Sequence, residues 1–309
     1  MSDVNKYRIL ITGGAGFIGS HVVDSYIAAG HEVAIIDSFS TGVRKNINPK
    51  AVVFEGDIRN KSFVLSTISN FSPEVINHHA AQISVEKSIA NPFLDNEINI
   101  VGTLNLLNAS RDNKTLKKFI FASSGGAVYG EQEGISDETT SPNPISPYGI
   151  SKLACEKYLA VYSRQFGFQA QILRYSNVFG PRQNLSGEAG IITVFIDQIQ
   201  KGIRPVIYGD GTNTRDFIFV EDVAQANLAA LTGNQSGIWN VSSNTETSIN
   251  QVFDSIVNIL KSGVTEKTYA TSKEGDVRKS RLDNAKAFTE LGWRPQVSFI
   301  SGIKEILHN

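Results

Sequence analysis

The sequence has little cysteine, no long apolar run and almost no surplus charge. Cys155 is the single cysteine among 309 residues, so no internal disulfide can form, and a reducing compartment, the cytoplasm, is predicted. No run reaches the roughly 18 apolar residues of a membrane span, and the first apolar run is too short for a signal peptide. The net charge of −1 comes without a basic block, which argues against a nucleic-acid partner because phosphate binding needs a basic surface.

Recognisable metal ligands are lacking as well. His78 and His79 are adjacent, but neither has a cysteine or carboxylate neighbour at the spacing of a metal site. The pair is therefore predicted to be structural, and no metal ion is expected. The G-X-S-X-G and G-X-X-X-X-G-K-[ST] motifs are also absent from the sequence, which argues against a serine-hydrolase elbow and a P-loop.

Apolar runs alternate with helical patterns through the first half of the chain. Continuously apolar strands separated by helices are typical of a parallel sheet that is covered on both faces. The predicted strands are 8–12, 32–37, 51–57, 75–77, 117–123 and 170–176. The first predicted helix follows the first strand and ends at Ile27. The other predicted helices span 61–70, 95–110 and 148–166.

After residue 176 the alternation is looser. The predicted elements there are helices at 190–201, 221–232, 249–261 and 283–291 and a strand at 238–242. The whole pattern predicts an α/β fold with a doubly wound parallel sheet of the Rossmann type and a smaller C-terminal α/β domain. The two domains are expected at 1–176 and 177–309, interleaved at their edges, with the ligand crevice along the carboxyl edge of the sheet.

A glycine-rich turn follows the first predicted strand. TGGAGFIGSH places Gly13, Gly16 and Gly19 between this strand and the next helix. There the first glycine permits a tight turn, the second lets backbone N–H groups approach a pyrophosphate, and the third allows close helix–strand packing. Asp37 ends the second strand, where a carboxylate accepts hydrogen bonds from a ribose diol and repels a 2′-phosphate. The pattern therefore predicts NAD rather than NADP.

Two further segments end strands at the same edge of the sheet. Asp57 ends the third strand, and His79, Ala80 and Ala81 follow the fourth. Both segments are candidates for contacts with the adenine and nicotinamide sides of the cofactor. For Asp57 an alternative stays open, since the same carboxylate could cap the helix that follows.

The segment ISPYGISK carries the main chemical signal. Ser146 can cap a helix, and Pro147 suits its first position. Tyr148 and Lys152 then lie four residues apart on one helical face. An ammonium near a phenol lowers the pKa of the phenol, and a phenolate can act as general base for a sugar or alcohol hydroxyl.

Ten segments together resemble one family. They are TGGAGFIG, DSFSTG, GDIRN, HHAAQISV, NIVGT, SSGGAVYG, SPYGISK, RYSNVFGPRQ, TRDFIFVEDV and GDVRKS. Through them the chain resembles the extended short-chain dehydrogenases/reductases, and more narrowly the NAD-dependent nucleotide-sugar epimerases of the UDP-glucose (UDP-galactose) 4-epimerase group. The resemblance extends over essentially the whole chain. It implies that residues 1–176 bind NAD and that residues 177–309 bind a nucleotide sugar.

The resemblance implies roles for four central side chains. Tyr148 matches the base that acts on the sugar O4. Lys152 matches the residue that binds the nicotinamide ribose and lowers the pKa of this tyrosine. Ser124 matches the hydroxyl that hydrogen-bonds O4 and helps to move its proton, and Asn99 matches a supporting residue at the centre of the site.

Further contacts are implied on both sides of the site. The implied NAD contacts are Gly13, Gly16, Phe17, Ile18, Asp37, Ser38, Ser40, Thr41, Gly42, Asp57, Ile58, His79, Ala80, Ala81, Asn99, Ser123, Tyr148, Lys152 and Tyr175. The implied UDP-sugar contacts are Ser124, Tyr148, Asn177, Tyr208, Arg215, Arg278 and Ser280. Two guanidinium groups suit a pyrophosphate and an aromatic ring suits a nucleobase, while surface ion pairs and core packing stay as the alternatives.

The position of the catalytic serine is open by one residue. Counting back from Val128, as the family spacing of VYG implies, leads to Gly125, whereas counting forward from the strand leads to Ser124. One extra small residue within GGA accounts for the difference, so Ser124 is preferred, Ser123 is the second choice, and two serines that merely end the strand are the third. Gly125 and Gly126 stand where related dehydratases carry Asp-Glu, so elimination is not expected.

The resemblance therefore implies reversible inversion at C4 of a UDP-hexose through a 4-keto intermediate. The small Ser280 implies a pocket that also admits 2-acetamido sugars. The alternatives are a UDP-glucuronate 4-epimerase or decarboxylase, a nucleotide-sugar reductase, and an NAD-sensing protein without turnover. A homodimer through the helices at 95–110 and 148–166 is implied by resemblance alone, and no membrane partner is expected.

Overall fold

The structure, a computed structural model, describes residues 6–184, 190–272 and 277–308. The described strands are β1 (Arg8–Thr12), β2 (Glu32–Asp37), β3 (Val52–Glu55), β4 (Val75–His78), β5 (Lys118–Ser124), β6 (Gln169–Tyr175), β7 (Asn177–Phe179), β8 (Val206–Tyr208), β9 (Thr214–Arg215), β10 (Phe217–Phe219), β11 (Gly237–Val241), β12 (Thr247–Ser248) and β13 (Thr268–Ala270). The described helices are α1 (Phe17–Ala28), α2 (Lys61–Phe71), α3 (Val85–Ala90), α4 (Pro92–Asn96), α5 (Gly102–Arg111), α6 (Gly125–Tyr129), α7 (Pro147–Phe166), α8 (Ile191–Gln200), α9 (Val220–Thr232), α10 (Ile249–Leu260), α11 (Ala285–Leu291) and α12 (Phe299–His308). A 3-10 turn spans Arg44–Asn46, and a π-helical segment spans Glu97–Val101.

Seven parallel strands form the central sheet in the order β11-β6-β5-β4-β1-β2-β3. The many β-branched and aromatic residues of these strands favour the pleated conformation. From β1 the chain moves outward through β2 and β3 and then crosses back to β4 on the other side of β1. Such a switch point opens a crevice at the carboxyl ends of the strands, where open α/β sheets bind their ligands.

Helices cover both faces of the sheet. Helices α1 and α9 pack on one face, where Val22 and Ala226 have no exposed surface. Helices α2, α5 and α7 pack on the other face, where Leu106 and Leu159 are equally buried. Each buried Val or Leu side chain of this kind stabilises the fold by about 1.5–3 kcal/mol through burial of its apolar surface. The predicted doubly wound α/β fold is confirmed.

A third apolar cluster forms a smaller lobe. Helices α8, α10 and α12 pack there against the phenylalanines of β7 and β10. Strand β11 and helix α9 also come from the second half of the chain, but they join the central sheet and its helical cover. The two predicted domains, divided at residue 176, are therefore interleaved, because at least residues 220–241 of the second half pack with the first. Among the described residues, no helix combines the length and apolarity needed to cross a membrane.

Three predicted elements differ from the structure. The predicted helix at 95–110 is interrupted, because α4 ends at Asn96 and the π-helical segment precedes α5. The predicted loop after β5 contains the short helix α6, so the extra small residue lies in a helical turn. The predicted strand at 51–57 is shorter, since β3 ends at Glu55. Helices α3 and α12 were not predicted.

Helix α7 begins and ends where local signals place it. The Ser146 side chain accepts a hydrogen bond from the Gly149 nitrogen at 3.2 Å, and Pro147 occupies the first helical position. Gly167 follows the last residue with a φ of 80°, a conformation that glycine adopts without steric cost. The predicted cap is confirmed, and it places Tyr148 and Lys152 in the first turns of the helix.

Candidate active site

The glycine-rich turn presents the amino end of α1 to the crevice. Gly16 is the N-cap residue, and no described side chain caps the helix there. Gly13 has a φ of 71°, and a Cβ on it would lie 2.8 Å from the Ala80 nitrogen. A Cβ on Gly19 would collide with the Gly13 carbonyl oxygen. The resulting cradle fits the pyrophosphate of NAD, since an uncapped helix N-terminus attracts anions through its N–H groups and dipole.

Asp37 joins this cradle to the loop after β2. Its Oδ2 accepts a hydrogen bond from the Ala15 nitrogen at 2.9 Å, and its Oδ1 accepts one from the Phe39 nitrogen at 2.8 Å. A Cβ on Gly42 would lie only 2.6 Å from Oδ1, so the loop folds closely over the carboxylate. The same loop carries the implied NAD contacts Ser38, Ser40 and Thr41. The carboxylate is thus held at the strand end, where the ribose of NAD is expected.

Asp57 does not cap α2. The N-cap residue is Asn60, whose side chain accepts a hydrogen bond from the Phe63 nitrogen. Asp57 instead accepts two hydrogen bonds from the Arg59 guanidinium at 2.6 and 2.9 Å, and this pairing lowers the pKa of its carboxyl group. The capping alternative is therefore wrong. Asp57 and the buried Ile58 remain predicted NAD contacts.

The two histidines at the end of β4 have different surroundings. His78 lies buried between Thr12 and Thr103, with ring-nitrogen to hydroxyl distances of 2.6 and 2.9 Å, and burial holds its pKa well below the ordinary value. His79 stacks on Tyr175 with ring centroids 6.2 Å apart, and burial lowers its pKa to about 3. Both rings are therefore neutral near pH 7. Within the described ranges, no three His, Cys, Asp or Glu side chains are grouped as metal ligands.

Asn99 joins three segments at the centre of the cleft. It lies in the π-helical segment, and π-turns are frequent at functional sites. Its amide nitrogen donates to the Gln82 carbonyl at 2.9 Å and lies 3.0 Å from the Asp95 carboxylate and 3.1 Å from the Ser151 hydroxyl. Its amide oxygen accepts a hydrogen bond from the Gln82 nitrogen at 2.8 Å. Asn99 therefore holds the segment after β4 against α7.

Tyr148 and Lys152 are both buried near the amino end of α7. The Lys152 ammonium donates to the Ala122 carbonyl of β5 at 2.8 Å and lies 5.9 Å from the centroid of the Tyr148 ring. Burial lowers the pKa of Lys152 to about 8. The cation therefore sits between the tyrosine and the strand end, beside a narrow pocket that Ala80 and Ala81 help to line.

The two adjacent serines differ in their partners. The Ser123 hydroxyl donates to the Glu156 carboxylate at 2.6 Å. Glu156 also accepts hydrogen bonds from the Arg174 guanidinium at 2.6 and 2.9 Å in the core. Ser124 pairs with Tyr175 across the sheet, is only partly buried, and precedes α6 without capping it through its side chain. Ser123 thus belongs to a buried structural network that leaves Ser124 outside.

The two glycines after Ser124 are packed differently. Gly125 is buried, and a Cβ on it would collide with the Leu282 side chain. A Cβ on Gly126 would meet only the Ser280 hydroxyl, at 3.5 Å. A larger residue at 125 would therefore require the Leu282 side chain to move. Ser280, predicted from a distant segment, lies next to α6.

Arg215 and Arg278 are brought together from separate segments. The Thr214 nitrogen donates to the Arg278 carbonyl at 2.9 Å. Arg278 is therefore hydrogen-bonded to the residue that precedes Arg215. The Asn177 nitrogen donates to the Asp216 carbonyl at 2.8 Å, which places Asn177 beside the same strand. Three of the residues predicted to bind a nucleotide sugar therefore lie on adjoining segments.

Tyr208 lies on β8 in the smaller lobe, next to β13. Its exposed fraction is 48%, so the alternative that it is a core aromatic is wrong. An exposed ring of this kind stays a candidate for stacking on a nucleobase. Residues 275–276, the first two of the GDVRKS segment, lie outside the described residues.

Residues 9–242 match the NAD dependent epimerase/dehydratase family. The chain belongs to this family. A curated relative from Methanocaldococcus jannaschii, named putative UDP-glucose 4-epimerase, is 47% identical over 97% of both chains. The crystal structure of UDP-glucose 4-epimerase from Thermotoga maritima with UDP-glucose has a TM-score of 0.95 at 42% identity and covers 97% of each chain. That of the Thermus thermophilus UDP-glucose 4-epimerase with NAD has a TM-score of 0.91 at 39% identity and covers 97% of this chain and 98% of that one.

Membership in the NAD dependent epimerase/dehydratase family confirms the resemblance drawn from the ten sequence segments. The family is NAD dependent by definition, and the glycine cradle and Asp37 fit that cofactor. NAD is therefore the cofactor that the predicted contacts are expected to hold.

Three residues that organise the site were missed at the level of sequence: Glu156, Arg174 and Asp216. Glu156 stands four residues after Lys152, so helical spacing could have placed it on the same face of α7. Asp216 directly precedes the apolar run FIFV, and a carboxylate next to a buried strand signals a hydrogen-bonded role. Arg174 offered the same signal at the end of β6.

We expect Lys152 to make the stability of the cofactor-free protein depend on pH. Its folded-state pKa of about 8 lies below the ordinary 10.5, so between these values the unfolded chain binds more protons and stability rises with pH. Lys152→Met should remove this part of the slope. Urea unfolding of both proteins between about pH 8 and 10.5 measures it, and equal slopes would contradict the expectation.

Proposed function

We propose that this chain is an NAD-dependent 4-epimerase of UDP-hexoses. The observation that carries the proposal is the grouping of Tyr148 and Lys152 beside the end of β5, where Ser124 lies, at the sheet edge that holds the glycine cradle. A phenol next to a buried cation, a hydroxyl and a dinucleotide cradle suit oxidation and re-reduction at a carbon that bears a hydroxyl. Relatives named UDP-glucose 4-epimerase support the choice of substrate.

In the proposed reaction, Tyr148 removes the proton from the sugar O4 and later returns it. Lys152 favours the phenolate form of Tyr148 by its charge, and Ser124 holds O4 by a hydrogen bond. When bound, NAD supplies a reversible hydride acceptor for C4. The 4-keto sugar then turns about its phosphate linkage, so that re-reduction on the other face inverts C4.

The residues after Ser124 support epimerisation over elimination. Elimination of water needs an acid and a base next to the catalytic hydroxyl, and the chain has Gly125 and Gly126 there. Leu282 fills the space beside Gly125, so a side chain could not be accommodated without repacking. The site therefore offers proton transfer at O4 but no acid–base pair for the neighbouring carbons.

The nucleotide part is proposed to bind on the second half of the chain, with residues 1–176 holding NAD and residues 177–309 holding the nucleotide sugar. Arg215 and Arg278 suit the diphosphate because guanidinium groups form bidentate hydrogen bonds with phosphate oxygens. Asn177 lies on the adjoining strand. Tyr208 offers its exposed ring to the base.

Incubation with UDP-glucose in the absence of added NAD tests the proposal. We expect UDP-galactose as product, without net change in NADH absorbance, because the cofactor is regenerated in each cycle. The small Ser280 leads us to expect turnover of UDP-GlcNAc as well.

Tyr148→Phe removes one hydroxyl and should lower kcat by about 10²–10⁴-fold. For the wild-type protein, stoichiometric consumption of NADH when NADH is supplied would indicate a reductase, and a protein that holds NAD but turns over no UDP-sugar would indicate a sensor.

A pair of alanine variants separates the two serines. Ser124→Ala should lower kcat by about 10²-fold, since it removes a hydrogen bond to the reacting oxygen, and should leave stability unchanged. Ser123→Ala should keep kcat but lower the free energy of unfolding by about 1–3 kcal/mol, because the buried Glu156 loses a donor. Steady-state kinetics and urea unfolding measure both effects, and the reverse pattern would make Ser123 the catalytic residue.

We further propose that the protein works as a homodimer in the cytoplasm. Helices α3, α4 and α7 contact one another and together expose an apolar face. Its exposed members include Ile89, Phe93, Ile150, Tyr158 and Val161, with exposed fractions of 42–81%. An apolar face of this kind is typical of a subunit interface, and its α7 part lies on one of the two helices, 148–166, from which the resemblance implied pairing.

Light scattering on a sizing column tests the dimer. Phe93→Glu places a charge at the most exposed point of the face, 81% exposed, and is expected to yield monomers because burial of an unpaired charge is costly. Ile203→Glu, at a 50% exposed position outside this face, is the matched control and should stay dimeric. A wild-type monomer, or a dimeric Phe93→Glu variant, would argue against this interface.

A further inference from the structure

Asp216 is a carboxylate without any exposed surface. It lies between Arg215 and the apolar strand β10. Burial raises the pKa of its carboxyl group, and a buried carboxylate is costly unless hydrogen bonds compensate for lost water. Its hydrogen-bond partners therefore identify the segments that Asp216 holds in place.

The carboxylate and the main chain of Asp216 reach three separate segments. Oδ1 accepts hydrogen bonds from the Ser243 nitrogen at 2.9 Å, the Ser243 hydroxyl at 2.8 Å and the Ser176 hydroxyl at 3.1 Å. Oδ2 lies 3.4 Å from the Leu282 nitrogen. The Asp216 carbonyl accepts a hydrogen bond from the Asn177 nitrogen at 2.8 Å.

Two of these segments carry a residue of the proposed nucleotide-sugar site, and the segment of Asp216 itself carries a third. Ser176 precedes Asn177, Leu282 follows Ser280 by two positions, and Arg215 is the direct neighbour of Asp216. The Leu282 side chain also covers Gly125, directly after Ser124. One buried residue thus connects the diphosphate side of the site with the strand end at the sugar side.

We propose that Asp216 is a positioning residue that sets the spacing of the nucleotide-sugar site. This inference rests on the proposed function. Asp216 has no exposed surface for contact with substrate; its hydrogen bonds hold the segments of Asn177 and Ser280 in place beside Arg215 before the substrate arrives. Such preorganisation raises affinity because less ordering is left to occur on binding.

Asp222 provides a matched control for a merely structural role. It is 3% exposed, and its carboxylate accepts hydrogen bonds from the Gln296 and Val297 nitrogens at 2.8 and 3.0 Å. It therefore holds the segment before α12, and none of its partners belongs to the proposed site. Loss of either carboxylate leaves buried donors unpaired, so both losses destabilise the fold.

The experiment compares Asp216→Ala with Asp222→Ala. Asp216→Ala should raise both KM for UDP-glucose and the calorimetric Kd for UDP by about tenfold, with bound NAD unchanged and kcat affected less. Asp222→Ala should lower Tm but leave the Kd for UDP unchanged. Asp216→Asn keeps an acceptor for Ser243 and turns an N–H toward the Leu282 nitrogen, so it should raise both constants by about threefold.

The outcomes separate this inference from the proposed function. An unchanged UDP Kd in Asp216→Ala, or an equal rise in Asp222→Ala, overturns the positioning role. Should Asp216→Ala not fold, wild-type constants in Asp216→Asn overturn it instead. A wild-type protein that binds UDP but turns over no UDP-hexose contradicts the proposed function alone, because the UDP affinities of the variants still decide the role of Asp216. A wild-type protein that binds no UDP contradicts both the proposed function and the positioning role.

Discussion

The catalytic edge of the sheet depends on one buried ion pair. Glu156 and Arg174 have side chains that are 1% and 2% exposed, and each charge is compensated almost entirely by the other. To leave either one unpaired costs about 3–5 kcal/mol, so α7 and β6 cannot shift independently. Ser123 adds a hydrogen bond from β5, and the Tyr129 ring of α6 lies 4.8 Å from the guanidinium. Four elements therefore meet at a single pair of charges.

This constraint sets where the chemistry takes place. Tyr148, Lys152 and Glu156 recur at intervals of four along α7, so they share one face of the helix. With Glu156 held in the core, the Lys152 ammonium is kept against the Ala122 carbonyl at 2.8 Å, and Tyr148 lies one turn nearer to the helix end. A buried cation readily loses its proton, and the pKa of about 8 reflects this. Only a rigid frame keeps such a group charged and aimed at the phenol.

What could be predicted from the sequence was set by local spacing. The turn around Gly13 and the helix with Tyr148 and Lys152 need only a few neighbouring residues to specify them, and both are as predicted. Asp57 was ambiguous because Asn60, a capping residue of equal preference, follows three positions later. The contact of Leu282 with Gly125 joins residues far apart in the chain, and no sequence periodicity predicts it. The same holds for the partners of Asp216, which are joined only when β6, β9 and β11 come together.

The two sides of the site are parts of one connected frame. Tyr129 packs on Arg174 and donates to the Asn240 side chain at 3.0 Å, and Asn240 donates to the Asp283 carbonyl at 3.1 Å. Leu282, the neighbour of Asp283, lies against Gly125 and within reach of Asp216. The chain of contacts runs from the ion pair that fixes α7 to the carboxylate that holds the nucleotide side. Ser124 lies between these two ends, so its position follows from both halves of the protein, which is why the neighbouring sequence alone left its register open.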